Sequence, residues 1–140
     1  MKKTLRLIGI AILAIFFSVS LSACSDDDDD DDFNPVGFDQ QDPNLIGAWE
    51  FTQQTGNMTE TETIEFYADG TYSETDIETN ANGTIKEWEK GIWNTNVQKT
   101  QVKLVITDSS DRKEIGNVDV ESYRVFNGTL TLDGTTYAVK

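Results

Sequence analysis

The sequence contains no histidine, one cysteine and two prolines. Without histidine the chain lacks the commonest general base and metal ligand, which leaves only weak calcium binding by oxygen atoms. No G-x-S-x-G motif or phosphate-binding glycine loop is present. Two carboxylates could serve glycoside hydrolysis, but no spacing singles out a pair. We therefore predict no enzymatic activity, no cofactor and no metal site.

Positive charge is also scarce, with 11 basic residues against 25 acidic ones and a net charge of −14. Three of the basic residues, Lys2, Lys3 and Arg6, lie at the extreme N-terminus. The remainder of the chain is therefore more acidic still and repels phosphate backbones. This charge excludes nucleic acid as a partner and leaves no basic patch for anionic lipid headgroups.

Residues 1–23 have the pattern of a secretion signal. The three basic residues precede an almost wholly apolar run from Leu7 to Leu21. That run is shorter than the ~20 residues of a membrane-spanning helix. The small pair Ser22-Ala23 then provides a cleavage site in the expected place. The alternative, an uncleaved membrane anchor, fits these features less well.

The segment Leu21-Ser22-Ala23-Cys24 resembles the lipobox of bacterial lipoproteins. The resemblance implies cleavage before Cys24, a diacylglyceryl group on its sulfur and an acyl group on the new N-terminus. Two or more acyl chains hold a protein stably on a membrane. Because Cys24 is the only cysteine, no intramolecular disulfide braces the chain, and its folded part must depend on apolar packing.

An acidic run follows the cysteine at once: Ser25, Asp26, Asp27, Asp28, Asp29, Asp30, Asp31 and Asp32. Like charges in a row repel one another and cannot form a buried core. The run is therefore interpreted either as a solvated spacer or as a segment that binds calcium weakly. The position of the run also resembles the surface-export signal of Bacteroidetes lipoproteins. That resemblance implies an outer-membrane lipoprotein that faces the cell exterior.

Residues 24–44 are predicted to be the acylated cysteine, the export signal and a disordered linker. The linker contains both prolines, Pro35 and Pro43. Phe33, Val36 and Phe38 either belong to this spacer, which we favour, or dock on the domain that follows. The domain itself is predicted over residues 45–140, a length that supports one core.

Turn signals divide residues 45–140 at intervals. Asn-Gly and Asp-Gly pairs occur at Asp69-Gly70, Asn82-Gly83, Asn127-Gly128 and Asp133-Gly134, and these are strong hairpin signals. Apolar residues alternate with polar ones between the turns, as in an antiparallel sheet with one buried face. The pattern predicts eight strands, at 46–54, 61–68, 71–79, 84–94, 101–107, 117–126, 129–133 and 135–139.

These strands predict an all-β fold, a small antiparallel eight-stranded up-and-down barrel, because closure removes the exposed sheet edges. A short ninth segment is possible at Arg112 to Ile115. Trp88 and Trp93 have opposite parity, and a bulge at Lys90-Gly91 would bring them to one face. An eight-stranded barrel is either filled by side chains or holds one small ligand.

The segment Leu45-Ile46-Gly47-Ala48-Trp49 resembles the G-x-W start of the lipocalin barrel. The stretch from Thr63 to Tyr72 and the segment Gly91-Ile92-Trp93 resemble later strands of the small lipocalin-like domains of bacterial lipoproteins. Classical lipocalins also carry a basic residue on a late strand. The last strand of this chain offers only Lys140, at its end, and Arg124 lies earlier. The resemblance implies a lipocalin-like barrel but no particular ligand.

Two kinds of binding site follow as hypotheses. Trp49, Phe66, Tyr72 and Trp93 are candidates to line a cup for a small apolar ligand, or else they fill the barrel. Trp88, between Glu87 and Glu89, is a candidate surface contact for a sugar or a protein, and partial burial is the favoured alternative. The first hypothesis makes the chain a surface-exposed, lipid-anchored binding protein. The second makes it a filled-barrel accessory lipoprotein, such as an uptake-system partner, an adhesin or an inhibitor.

Overall fold

The computed structural model describes residues 37–140. The predicted secretion signal, Cys24, the acidic run from Ser25 to Asp32, and Phe33 and Val36 lie outside these described residues. The described part contains nine strands: β1 (Phe38–Gln40), β2 (Gly47–Thr55), β3 (Met58–Phe66), β4 (Thr71–Asn80), β5 (Gly83–Asn96), β6 (Gln101–Ser109), β7 (Val118–Phe126), β8 (Thr129–Leu132) and β9 (Thr135–Val139).

Strands β2 to β9 form a closed antiparallel barrel. The hydrogen-bonded order is β1-β5-β4-β3-β2-β9-β8-β7-β6, and an additional β5–β6 pairing closes the ring. This confirms the predicted all-β, lipocalin-like fold of eight barrel strands. Among residues 37–140 the one helical segment is a 3-10 turn at Arg112–Glu114, which lies at the position of the short ninth segment named above. No helix within these residues is long and apolar enough to cross a membrane.

Local turn chemistry explains two of the hairpins directly. Asn127 and Gly128 have φ angles of 50° and 73°, and Asp133 and Gly134 have angles of 44° and 88°. Positive φ at both central residues is the type I′ geometry that suits a right-twisted hairpin. The hairpin between β4 and β5 instead turns through residues 81 and 82, because Asn80 pairs with Gly83.

Strand β1 lies in a segment predicted as linker. Phe38 pairs with Asn96 on β5, and Nζ of Lys103 lies 5.9 Å from the centroid of the Phe38 ring. Farther along, Asp42 and Leu45 are 4% and 0% exposed. The packed domain therefore begins earlier than the predicted boundary at Leu45, because contacts with distant strands hold residues that carry no local strand signal.

The core lies inside the barrel and is formed by every second residue of each strand, which faces inward. These residues come from every barrel strand and from the segment before β2. Buried apolar members are Leu45, Trp49, Ile64, Phe66, Tyr72, Trp93, Val102, Leu104, Tyr123, Leu130, Leu132 and Tyr137.

Candidate functional site

The four aromatic residues predicted to line a ligand cup belong to this core. Trp49, Phe66, Tyr72 and Trp93 are between 0% and 4% exposed. The Phe66 ring makes an edge contact with Trp93 at 5.3 Å between centroids and lies 6.4 Å from Tyr72. Rings that contact one another in this way occupy the space that an apolar ligand would need.

Both core tryptophans also have satisfied indole N–H groups. Trp49 Nε1 donates to the carbonyl oxygen of Leu45 at 2.9 Å, and Trp93 Nε1 donates to the carbonyl oxygen of Tyr67 at 3.0 Å. A buried indole needs such an acceptor. These bonds fix the two rings to loop backbone just before β2 and just after β3.

Part of the barrel interior is acidic rather than apolar. Inward-facing positions hold buried glutamates on β3, β4, β5 and β7, namely Glu62, Glu74, Glu89 and Glu121. Two core tyrosines donate into this region: Tyr72 Oη to Glu89 Oε1 at 3.0 Å, and Tyr137 Oη to Glu62 Oε1 at 2.6 Å. The tyrosines thus join the apolar part of the interior to the acidic part.

The sequence pattern indicates only one strand of this acidic region. Glu60 and Glu62 share parity with Ile64 and Phe66, which predicts either a place at one mouth of the barrel or, as the favoured interpretation, a solvated strand end. The structure instead buries Glu62. The structure adds Glu74, which shares parity with Tyr72, and Glu89, which shares parity with Trp93. Their parity indicates an inward position, but carboxylates are rarely buried, so parity alone does not predict an acidic interior.

The acidic surroundings perturb the ionisation of nearby groups. Burial, followed by the charges of Glu89 and Glu74, raises the pKa of Tyr72 well above its ordinary value of 10.0. Burial and the charge of Glu78 raise the pKa of Glu60 above 4.5. Both shifts follow from low local polarity combined with negative neighbours.

Three interior carboxylates are close enough to share a cation. Glu62, Glu74 and Asp76 each offer one oxygen, and these atoms lie within 4.8 Å of one another. Oxygen ligands of this kind suit Ca²⁺, Mg²⁺ or Mn²⁺. A proton shared between neighbouring carboxyl groups satisfies the same geometry, so the cluster by itself assigns no metal.

A separate group of polar contacts surrounds Asp42. The carboxylate of Asp42 accepts hydrogen bonds from Tyr123 Oη at 2.8 Å and from the backbone N–H of Asn44 at 3.1 Å. Lys99 Nζ lies 3.8 Å from the same carboxylate. Burial, then the hydrogen bond to Asp42, raises the pKa of Tyr123 above its ordinary range. These contacts fix the segment before β2 over the core.

Trp88 lies on the opposite side of the sheet from Trp93. Strand β5 alternates without interruption, so Trp93 faces the core and Trp88 faces outward, half-buried. The register with β6 does shift at Lys90-Gly91, as predicted. The extra residue, however, is Thr107 on β6, because Lys90 pairs with Asp108 and Gly91 with Ile106. The bulge therefore does not bring the two tryptophans to one face, and that part of the prediction was wrong.

The outward side chain of Trp88 borders a groove on the barrel's outer face. The groove has a volume of about 740 Å³. We call it the Trp88 groove. Its lining comes mainly from outward positions of β4, β5 and β6: Tyr67, Thr71, Ser73, Thr75, Lys86, Trp88, Lys90 and Thr107, with Tyr72, Glu74, Glu89 and Gly91 beneath.

The Trp88 groove combines an aromatic ring with hydroxyl groups and positive charge. Thr75 pairs directly with Trp88, and Ser73 pairs with Lys90. Tyr67 Oη lies 3.1 Å from Ser73 Oγ, and Lys90 Nζ lies 5.8 Å from the centroid of the Trp88 ring. Surfaces of this composition hold ligands that present both apolar faces and polar edges.

The backbone of Trp88 is held in place by the chain just after β6. The Trp88 N–H donates to Ser110 Oγ at 3.0 Å, and the Ser110 N–H donates to the Trp88 carbonyl oxygen at 2.8 Å. Within residues 37–140, the indole N–H of Trp88 has no protein acceptor. The side chain is thus presented on a fixed strand with one donor available.

Comparisons with family models, with curated proteins and with solved structures found no match to this chain.

Proposed function

We propose that this chain is a lipid-anchored protein of the outer cell surface whose filled barrel binds a saccharide in the Trp88 groove. The observation that carries the proposal is the division between its aromatic residues. Trp49, Phe66, Tyr72 and Trp93 pack into the core, whereas Trp88 lies on the outside among hydroxyl groups. The barrel then acts as a rigid support for an external binding face, and no chemical reaction is involved.

A saccharide fits this composition better than a wholly apolar molecule. One face of a sugar ring carries C–H groups that pack on an indole, while its hydroxyls need donors and acceptors at the edge. Ser73, Thr75 and Thr107 supply hydroxyls beside Trp88. A purely apolar ligand would leave the indole N–H of Trp88 without a hydrogen bond, at a cost in affinity.

Acrylamide quenching of tryptophan fluorescence tests the binding site in the full-length chain, purified in detergent. Trp49 and Trp93 are 4% and 0% exposed, so quenching reports chiefly on Trp88. A panel of soluble neutral and acidic oligosaccharides should contain a member that protects Trp88 from acrylamide. Trp88→Ala should abolish binding of that oligosaccharide in calorimetry. A panel without any binder would overturn the proposed function.

Phe126 provides a matched control for the loss of an exposed aromatic ring. It is 57% exposed on β7, and Arg124 lies 5.2 Å from its ring centroid. It does not line the Trp88 groove. Phe126→Ala should leave oligosaccharide affinity unchanged. An equal loss of affinity in both variants would show that binding does not depend on the groove.

The membrane attachment is proposed from the segment around Cys24. Two or more acyl chains on this residue would hold the protein on a bilayer. Cys24→Ala should release the protein into the soluble fraction, whereas Ser22→Thr, which leaves the cysteine in place, should keep it in the membrane pellet. Retention of the Cys24→Ala protein after a salt wash would contradict lipid anchoring.

Exposure to the medium is proposed from the acidic run Asp26 to Asp32. Replacement of the run by alanine should leave the protein lipidated but protected from protease added to intact cells. Replacement by glutamate keeps the charge and tests whether charge alone is sufficient. Equal protease sensitivity of the natural and alanine proteins would contradict a surface-export role.

A further inference from the structure

We infer that the saccharide of the Trp88 groove is an acidic one, whose carboxylate or sulfate groups lie against Lys86 and Lys90. The inference rests on the proposed function and adds the charge of the ligand. It depends on two positively charged side chains that lie together in this groove, on a protein with a net charge of −14.

The two lysines are the first element of the argument. Lys86 and Lys90 are exposed, both face outward on β5, and they lie two positions to either side of Trp88. Within the described residues, neither forms an ion pair with a carboxylate. In a chain with more than twice as many acids as bases, two uncompensated cations that flank one aromatic ring form a site for an anion.

The acidic residues near the groove do not belong to its outward-facing lining. Glu74 and Glu89 are 1% and 5% exposed, since their side chains face the barrel interior. Glu65, on the outer face, accepts a 2.8 Å hydrogen bond from Tyr67 Oη. Asp108 pairs with Lys90 in the sheet register, but no ion pair within 4.0 Å joins the two side chains. Among the outward-facing residues that line the groove, only Lys86 and Lys90 are charged, whereas Glu65 and Asp108 are not part of the lining.

The positive charge of Lys90 lies close to the ring of Trp88. Its ammonium lies 5.8 Å from the centroid of Trp88, as in a cation–π contact. A sugar ring that packs on the indole displaces this ammonium toward the edge of the ring. An anionic substituent on the same sugar then replaces the cation–π contact with a charge-assisted hydrogen bond. A neutral sugar offers no such compensation.

Oligosaccharides of different charge test the inference. They are added to the full-length chain in detergent, with EDTA present to remove divalent cations. The probes are trigalacturonate, its fully methyl-esterified form and a sulfated galactose trisaccharide. Trigalacturonate or the sulfated trisaccharide should bind at least about fivefold more tightly than the ester, and the preference should decline with added salt. The tighter of the two acidic probes identifies the source of the anion.

Two double variants separate local from overall charge. Lys86→Gln/Lys90→Gln should weaken acidic-probe binding about fivefold to tenfold and change ester binding by a smaller factor. Arg112→Gln/Lys113→Gln removes the same charge from the 3-10 helix outside the groove and should have little effect. An equal loss in both variants would overturn the inference.

The outcomes distinguish this inference from the proposed function. Equal binding of trigalacturonate and its ester, lost in Trp88→Ala, would overturn the acidic ligand and leave saccharide binding intact. Absence of binding to every saccharide would remove both proposals. Tight binding of oligoglutamate that survives Trp88→Ala would identify an acidic peptide as the ligand and would also overturn the inference.

Discussion

The hydroxyl of Tyr137 on β9 donates a 2.6 Å hydrogen bond to the carboxylate of Glu62 on β3, across 75 residues of sequence. Both residues are buried, with exposed fractions of 2% and 6%. The Tyr137 ring also makes an edge contact with Phe51 at 5.9 Å between centroids. One side chain thus connects apolar packing to a buried carboxylate.

Removal of this hydroxyl should destabilise the fold. Tyr137→Phe keeps the ring and deletes one donor to a buried carboxylate, which costs about 1–3 kcal/mol. The free energy of unfolding, measured by urea denaturation, should fall by this amount. Tyr67→Phe is the control, because the Tyr67 hydroxyl bonds to Glu65 at the surface. Equal losses in the two variants would contradict a special role for the buried bond.

Two tyrosines should resist ionisation in alkali. Burial and nearby carboxylates raise the pKa of Tyr72 and of Tyr123 above the ordinary value of 10.0. Absorbance titration of the folded protein should therefore show a tyrosinate signal at pH 11 well below that of the urea-unfolded chain, in which all four tyrosines ionise. Tyr72→Phe should remove part of the delayed signal.

The same shifts predict how stability changes with pH. The folded state retains these two phenolic protons when the unfolded chain has begun to lose its own, so the free energy of unfolding should fall as pH rises above 10. Urea denaturation between pH 9 and 11 measures this. A tyrosinate signal at pH 11 that is equal in the folded and the urea-unfolded protein would contradict both expectations.

Glu60 should oppose folding at neutral pH. Burial, and secondly the charge of Glu78, raise its pKa above 4.5, so the ionised form is disfavoured in the folded state. Glu60→Gln should therefore increase the free energy of unfolding at pH 7. Because both states are protonated below the unfolded value, the gain should disappear as pH falls below 4.5.

Glu78→Gln is the matched variant for this prediction. It removes the smaller of the two causes and should give a smaller gain at pH 7. Urea denaturation at pH 7 and pH 4 measures both variants. A gain that persists unchanged at pH 4 would show that the effect of Glu60→Gln is not electrostatic.

Gly91 should tolerate no side chain. A Cβ at this position would lie 2.0 Å from the carbonyl oxygen of Val105 and 2.7 Å from the Tyr72 ring. Gly91→Ala must shift backbone or a core ring and should cost about 3 kcal/mol or more. Ile92→Ala, at a neighbouring residue that is 47% exposed, should cost less than about 1 kcal/mol. Thermal denaturation compares them, and similar values would contradict the close packing at Gly91.

Much of the barrel could be predicted because strand patterns and turn residues act locally. The predicted strands at 71–79 and 135–139 correspond to β4 at Thr71–Asn80 and β9 at Thr135–Val139. Asn127-Gly128 and Asp133-Gly134 specify type I′ turns, since few other residue pairs adopt positive φ at both positions. Alternation also identified Trp49, Phe66 and Trp93 as inward residues.

The candidate site could be predicted only in part. The parity of Trp88, opposite to that of Trp93, indicated an outward aromatic residue. The groove around it depends on Ser73, Thr75 and Thr107, which come from two other strands. Strand neighbours in a closed sheet are set by register and closure. Thr107 reaches this face through a bulge that the sequence predicted at Lys90-Gly91 on β5 and that the structure has on β6.

The amino-acid sequence by itself determined the eight barrel strands, most of the turns and the inward parity, because these depend on side-chain alternation and local backbone preference. Tertiary structure decided which carboxylates are buried inside the barrel beside the apolar core, such as Glu74 and Glu89. It also brought residues 38–45 onto the barrel, where Asp42 meets Tyr123 across 81 positions. These contacts form only when the sheet closes, since closure juxtaposes residues that no local interaction connects.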